Sequence, residues 1–77
     1  MFTSSQLRAA RAMLKWSLQD LSDESGVGTT TLKRFESAEL TPTGNLTTFI
    51  KLKEVFEKAG VEFIGSPDAQ AGVRWRE

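Results

Sequence analysis

A four-residue break at residues 25–28 separates two short segments of helical pattern, and it constrains the fold more than any other feature of the sequence. Before the break, Ser17 followed by Asp20 is a helix-capping pattern. After it, the two apolar residues of the segment 29–37 lie three positions apart, as they do in a helix that buries one narrow stripe. Gly26 can adopt the positive φ that a sharp turn requires. Two short helices must therefore meet at a tight turn and pack on neighbours to be stable.

Two further helices are predicted, one on each side of this pair. Thr3 with Gln6 three residues later is a second capping pattern, which predicts a helix from about Ser4 to Lys15. A loop over residues 38–44 leads to Asn45, which can cap the longest helix. The buried side of that helix is expected to carry five residues: Leu46, Phe49, Leu52, Phe56 and Ala59.

The end of the chain changes from helical to alternating spacing. Two pairs of apolar residues predict two short strands joined by a loop: Val61 with Phe63, and Val73 with Trp75. We therefore expect a mainly α fold, with a helical domain over residues 1–60 and a β-strand segment over residues 61–77. A two-stranded ribbon is marginal alone, so it must pack on the helices or pair with another chain.

The residue types present exclude most enzyme chemistry. The 77 residues include no cysteine and no histidine, so the usual thiol nucleophile, general base and zinc ligands are missing. The closely spaced acids fall on one short helix: Asp20, Asp23 and Glu24. We expect no enzyme activity, no metal site and no cofactor. The lack of histidine also predicts little change in binding between about pH 5 and pH 8.

The charge is balanced in total but unevenly distributed. Ten Lys and Arg match ten Asp and Glu, which is not the overall basicity of a non-specific nucleic-acid binder. However, Arg8, Arg11 and Lys15 precede every acidic residue, so one end can be locally positive. No apolar run reaches the length of a membrane span, and residues 1–6 are polar rather than signal-like. We therefore expect a cytoplasmic protein without membrane contacts.

Two short helices joined by a glycine turn, the second with a polar outer face, form the helix-turn-helix pattern. The sequence over residues 16–22 and 25–36 resembles the Cro and phage-repressor type of helix-turn-helix regulator, also called the XRE family. The resemblance covers about residues 4–60, and residues 60–64 followed by 72–74 are similar to a small bacterial branch of that family. It implies a compact lambda-repressor-like bundle of four to five helices, with double-stranded DNA as the partner.

The resemblance also implies roles for individual residues. In related repressors the third helix reads the DNA, and three residues here match positions that face base edges: Thr29, Thr30 and Arg34. Lys33 is the neighbouring outward position, which meets either a base or a phosphate. Arg11 and Glu36 match a pair that forms a partly buried salt bridge in family members. Threonine can contact a thymine methyl group, and arginine can hold guanine with two bonds.

Phosphate contacts are expected from helix starts and from flanking side chains. The backbone amides around Ser17 and Gly28 lie at positive helix ends, which suit phosphate oxygens. Gln19 stands one residue after the place where family members often have a phosphate-binding glutamine, which is a leucine here. Ser37 and Arg8 complete the candidates. For Arg8, the alternative is an ordinary solvated helix face.

One recognition helix covers only a short half-site, so we expect a homodimer on a near-palindrome with half-sites about 34 Å apart. Phe63 and Trp75 are candidate dimer contacts, because they are large apolar groups on short strands. The alternatives are that both cover the fourth helix, or that Ile50 or Val55 forms the interface. Without a second domain, repression by promoter occupancy is the simplest action. The competing function is protein binding, as in an antitoxin-like regulator whose C-terminal strands hold a partner.

Overall fold

Over residues 2–37, 46–66 and 69–76, which the computed structural model describes, four helices are followed by two strands. In chain order they are α1 (Ser4–Leu14), α2 (Leu18–Ser25), α3 (Thr29–Ser37), α4 (Leu46–Lys58), β1 (Val61–Ser66) and β2 (Ala69–Trp75). The predicted loop at residues 38–44 and the predicted cap at Asn45 lie outside the described residues. The mainly α architecture with a C-terminal β-ribbon is confirmed.

Both predicted capping boxes are formed, at the starts of α1 and α2. At α1 the Gln6 amide donates to Thr3 Oγ1 (3.1 Å), and the Thr3 amide donates to Gln6 Oε1 (2.7 Å). Asp20 and Ser17 exchange the equivalent bonds at α2, at 3.0 and 2.8 Å. α1 ends one residue earlier than predicted, because Lys15 adopts the left-handed conformation, with φ of 57°.

Residues 26–28 form the turn between α2 and α3. Gly26 ends α2 in the left-handed conformation, with φ of 75°, and its amide donates to the Ser22 carbonyl (2.8 Å). Val27 is buried in the core and so anchors the turn. The Gly28 carbonyl accepts the first amide bond of α3 (3.0 Å). The break in the helical pattern is therefore a tight turn, held at its centre by one apolar side chain.

An aromatic cluster forms the centre of the core. Phe49 packs against both Phe2 and Phe35, with ring centroids 4.9 and 5.1 Å apart. Phe2 is buried although residues 1–6 were expected to be a polar segment. The remaining buried apolar side chains come from all four helices, the α2–α3 turn and β1: Leu7, Ala10, Leu21, Val27, Leu32, Leu52, Phe56 and Val61.

α4 differs from the prediction at its first residue. Phe49, Leu52 and Phe56 are buried as expected, but Leu46 is 60% exposed, so its predicted burial is wrong. At 3.6 residues per turn, Leu46 lies about 60° from Phe49 around the helix axis, on the side away from Leu52. Ile50, which is also exposed, continues this flank. Helical spacing identified the apolar stripe but not where its buried part ends.

The two strands form an antiparallel ribbon that packs on the helices. The register pairs the residues predicted to lie in strands: Val61 with Trp75, and Phe63 with Val73. Nε2 of Gln6, a buried side chain of α1, donates to the carbonyls of Ile64 (3.0 Å) and Gly72 (2.9 Å). One glutamine thus caps α1 and binds both strands, so the ribbon is attached to the helical part of the fold.

Candidate nucleic-acid interface

The outward face of α3 presents the four side chains predicted to read bases. Leu32 and Phe35 are buried against the core, which turns the opposite side of α3 toward solvent. Three of the four are exposed: Thr30, Lys33 and Arg34. The fourth, Thr29, is half-buried. Because the four positions follow at i, i+1, i+4 and i+5, they share one face of the helix.

This face of α3 is cationic at its C-terminal end. Within the described residues, Lys33 and Arg34 form no ion pair. Arg34 Nη2 makes a long contact of 3.5 Å with Thr31 Oγ1. The one acid of α3, Glu36, is turned inward to Arg11. Two cations that have no ion-pair partner in the described part of the chain therefore point to solvent, where they can meet a base edge or a phosphate.

Arg11 of α1 holds Glu36 of α3 through two hydrogen bonds. Nε donates to Oε2 (2.7 Å) and Nη2 donates to Oε1 (3.0 Å). The third nitrogen, Nη1, donates to the Trp16 carbonyl between α1 and α2 (2.9 Å). The hydrogen bond to Glu36 raises the pKa of Arg11, and partial desolvation opposes this rise. Arg11 therefore stays charged and ties three parts of the fold together.

The predicted phosphate contacts at the helix starts are mostly engaged in local bonds. The Ser17 hydroxyl and amide are both used in the α2 capping box with Asp20. Gln19 Nε2 donates to Asp23 Oδ1 (2.9 Å), so the amide nitrogen of this side chain is bonded to an acid of its own helix. Gly28 is exposed, and a Cβ added there would meet nothing within 4 Å. The start of α3 is thus the more open of the two helix ends.

The C-terminal end of α3 is bonded to α1 by two residues that were not predicted to contact it. The buried Ser4 hydroxyl donates to the Phe35 carbonyl (2.6 Å). Arg8 Nη1 donates to the Glu36 carbonyl, and its Nη2 donates to Ser5 Oγ (3.1 Å). The i, i+4, i+7 spacing of Ser4, Arg8 and Arg11 indicates a shared face of α1, but it does not identify what that face contacts. Ser37, the remaining phosphate candidate, is exposed.

The two candidate dimer residues occupy different environments. Phe63 is half-buried, stacks on Phe2 with centroids 4.9 Å apart, and meets Phe56 edge-on at 5.7 Å. Trp75 is 54% exposed on β2. Phe63 therefore packs inside its own chain, which agrees with the alternative that this residue covers the fourth helix. Trp75 remains available on the surface.

Residues 2–37, 46–66 and 69–76 lack the features of two other kinds of site. No group of three or more His, Cys, Asp or Glu side chains there is arranged to hold a metal ion. No helix in that part of the chain is long and apolar enough to cross a membrane.

Comparison with known proteins identifies one family. A family model described as helix-turn-helix matches residues 7–58, which is more than half of the chain. The match begins within α1 and ends with α4, so the β-ribbon lies outside it. A search of curated proteins finds no match.

Proposed function

The chain belongs to the helix-turn-helix family of Cro and phage-repressor-type DNA-binding regulators, and from this premise we propose that it is a sequence-specific transcriptional repressor that binds a palindromic operator as a homodimer. The observation that supports the proposal is the exposed face of α3, where Lys33 and Arg34 are unpaired among the described residues. We expect the protein to act in the cytoplasm.

Recognition of the operator is assigned to the face of α3. Arg34 can donate two bonds to O6 and N7 of a guanine, and Lys33 reaches a base or a phosphate. Thr29 and Thr30 can hydrogen-bond base edges and place their methyl groups against thymine. Phosphates on either side would meet Gly28 at the open start of α3 and the exposed Ser37. Ser17 and Gln19 would contact phosphate by exchanging their local bonds to Asp20 and Asp23. Such phosphate contacts set the register, while the base contacts set the sequence preference.

Dimer formation follows from the small size of this recognition surface. A single helix reads only a few base pairs, and dimers gain affinity from two half-sites about one helical turn apart. The exposed Trp75 on β2 is the side chain that we assign to the contact between copies. Repression needs nothing beyond occupancy, because a dimer on an operator that overlaps a promoter blocks polymerase sterically.

The proposal is tested by selecting binding sites from random double-stranded DNA with the purified protein at moderate salt. We expect an enriched inverted repeat whose half-sites are about 10 base pairs apart. Arg34→Ala should weaken binding to that site by about 1–3 kcal/mol and relax the preference at one base pair of each half-site. Lys51→Ala removes an exposed cation from α4 and serves as the matched control. Failure to enrich any sequence would contradict the proposal.

A second candidate is a module that binds a protein partner, such as an antitoxin-like regulator. The zero net charge and the exposed Trp75, on a ribbon outside the family match, favour it. The two functions differ in salt dependence. Affinity for DNA falls steeply as salt rises, because neutralised phosphates release counterions. Absent or salt-insensitive DNA binding, together with capture of a protein through the ribbon, would favour the second candidate.

A further inference from the structure

The last turn of α3 obtains hydrogen-bond donors from another helix. The final four carbonyls of any α-helix have no intrahelical amide to bind, and in α3 they belong to residues 34–37. Two of these carbonyls, those of Phe35 and Glu36, accept bonds from Ser4 and Arg8 of α1. α1 thus caps the C-terminal end of the helix that we assign to base recognition.

The two donors differ in their environments but act on the same helix end. Ser4 is 1% exposed and bonds the buried Phe35, so water cannot replace its hydroxyl without rearrangement of the core. Arg8 is exposed, and its bond to Ser5 Oγ holds the guanidinium over the Glu36 carbonyl. Its positive charge also lies at the negative end of the α3 dipole, where a cation is stabilised.

Arg11 adds a third contact from the same side of α1. Ser4, Arg8 and Arg11 follow at i, i+4 and i+7, and all three bind the last turn of α3. Ser4 and Arg8 donate to its backbone carbonyls, and Arg11 binds the Glu36 carboxylate. We call these three residues the α1 clamp. The clamp holds α3 directly after Lys33 and Arg34.

We propose that Arg8 and Ser4 are positioning residues for DNA recognition, which fix the axis and rotation of α3 so that Lys33 and Arg34 meet base edges in one register. Arg8 acts through the Glu36 carbonyl rather than as a phosphate ligand. This inference rests on the proposed DNA-binding function. Base contacts need side chains held within about 0.5 Å of the right geometry, whereas phosphate attraction tolerates a small rotation of the helix. Loss of the clamp should therefore reduce specificity more than it reduces total DNA affinity.

The test compares Arg8→Ala and Ser4→Ala with the unchanged protein on two duplexes of equal length, one with the selected operator and one with random sequence. Kd is measured for both at several salt concentrations and below the melting temperature of each variant. We expect the ratio of random to operator Kd to fall about tenfold for Ser4→Ala, which removes a buried hydrogen bond, and about threefold for Arg8→Ala, which removes an exposed one. The salt slope should be unchanged in both variants. Lys51→Ala, the charge-matched control, should leave the ratio unchanged.

The other outcomes overturn the inference in distinguishable ways. If Arg8 binds phosphate, Arg8→Ala lowers the salt slope by about 0.9 for each phosphate that is no longer neutralised, and leaves the ratio unchanged. If the clamp serves stability alone, the folded fraction falls but the ratio stays constant, because unfolded chains reduce binding to both duplexes equally. If the unchanged protein prefers no sequence, its own ratio is one. In that case the proposed function fails before any variant is considered.

Discussion

The Arg11 guanidinium and the Glu36 carboxylate join α1 to α3 through two hydrogen bonds, of 2.7 Å and 3.0 Å. The Arg11 and Glu36 side chains are 26% and 11% exposed, so the pair is neither a free surface ion pair nor a fully buried one. The pair connects the scaffold to the end of the helix whose outward face carries the predicted base contacts. Its strength should therefore affect both stability and DNA binding.

Removal of either partner is expected to destabilise the fold. Exposed ion pairs contribute at most about 1 kcal/mol, whereas breaking a buried pair costs about 3–5 kcal/mol. For this intermediate case we expect Arg11→Met or Glu36→Gln to lower the free energy of unfolding by about 1–3 kcal/mol. Urea denaturation followed by far-UV circular dichroism measures the change.

The double variant measures the interaction energy between Arg11 and Glu36 apart from the effect of each side chain alone. If the two residues interact as the distances indicate, Arg11→Met with Glu36→Gln should lose less than the sum of the single losses, with a coupling of about 1 kcal/mol. Additive losses would show that the two side chains stabilise the fold independently of each other.

The parts of the fold that could be predicted depend on short-range signals. Thr3 with Gln6 and Ser17 with Asp20 are three residues apart, and each capping box formed as the spacing indicated. Gly26 marked the turn because few other residues adopt a positive φ at low cost. Such signals depend on local backbone geometry, so they can be identified without knowledge of how the helices pack.

The parts that could not be predicted depend on contacts between distant residues. Ser4 and Phe35 are separated by 31 positions, and Arg8 and Glu36 by 28. The bond from Gln6 to the Gly72 carbonyl spans 66 positions. A backbone carbonyl acceptor leaves no mark in the sequence, since every residue has one. The capping role of Gln6 was identifiable, but its second role at the ribbon was not.

Two helix ends with the same backbone conformation provide a prediction on stability. Lys15 ends α1 with φ of 57°, where a side chain costs about 1–2 kcal/mol relative to glycine. Glycine also raises the entropy of the unfolded chain, so Lys15→Gly should increase the free energy of unfolding by about 0.5–1 kcal/mol. Chemical denaturation measures this gain. Lys15→Ala removes the same side chain but keeps the strain, so it should show no comparable gain.

Gly26 provides the opposite change at the end of α2. Its φ is 75°, and an added Cβ would meet nothing within 4 Å, so Gly26→Ala tests backbone strain without a clash. We expect a loss of about 1–2 kcal/mol in the free energy of unfolding. A neutral Gly26→Ala would indicate that the turn adjusts its backbone when the glycine is replaced.

DNA binding should change little with pH between about 5 and 8, because the chain has no histidine. The raised pKa of Arg11 is consistent with this expectation. When folding raises the pKa of a group, the resulting stability is fully present below the unfolded-state pKa and is lost only as pH rises through the folded-state pKa. For arginine both pKa values lie far above pH 8, so Arg11 stays charged throughout the tested range. Fluorescence anisotropy on the selected operator measures Kd across the range. A transition near pH 6.5 would contradict the prediction.

The contrast between Phe63 and Trp75 separates the core from the proposed dimer contact. Phe63→Ala removes a ring that stacks on Phe2, so it should lower the free energy of unfolding by about 2–4 kcal/mol. Trp75 is 54% exposed, so Trp75→Ala should cost less than about 1 kcal/mol in the separated chain. Chemical denaturation at low protein concentration compares the two variants. A large loss for Trp75→Ala under these conditions would instead assign this ring to the core of its own chain.

Oligomeric state provides the second half of the same test. Trp75→Glu introduces a charge into the proposed contact, so the dimer should dissociate at protein concentrations at least about tenfold higher than for the unchanged chain. This change corresponds to a loss of about 1.4 kcal/mol in the free energy of dimerisation. Arg76→Glu is the matched control, because it places the same carboxylate at the neighbouring exposed position. Sedimentation equilibrium measures the mass of each. A dimer that persists in Trp75→Glu would place the contact elsewhere, and the exposed Leu46 and Ile50 of α4 would then be the next positions to substitute.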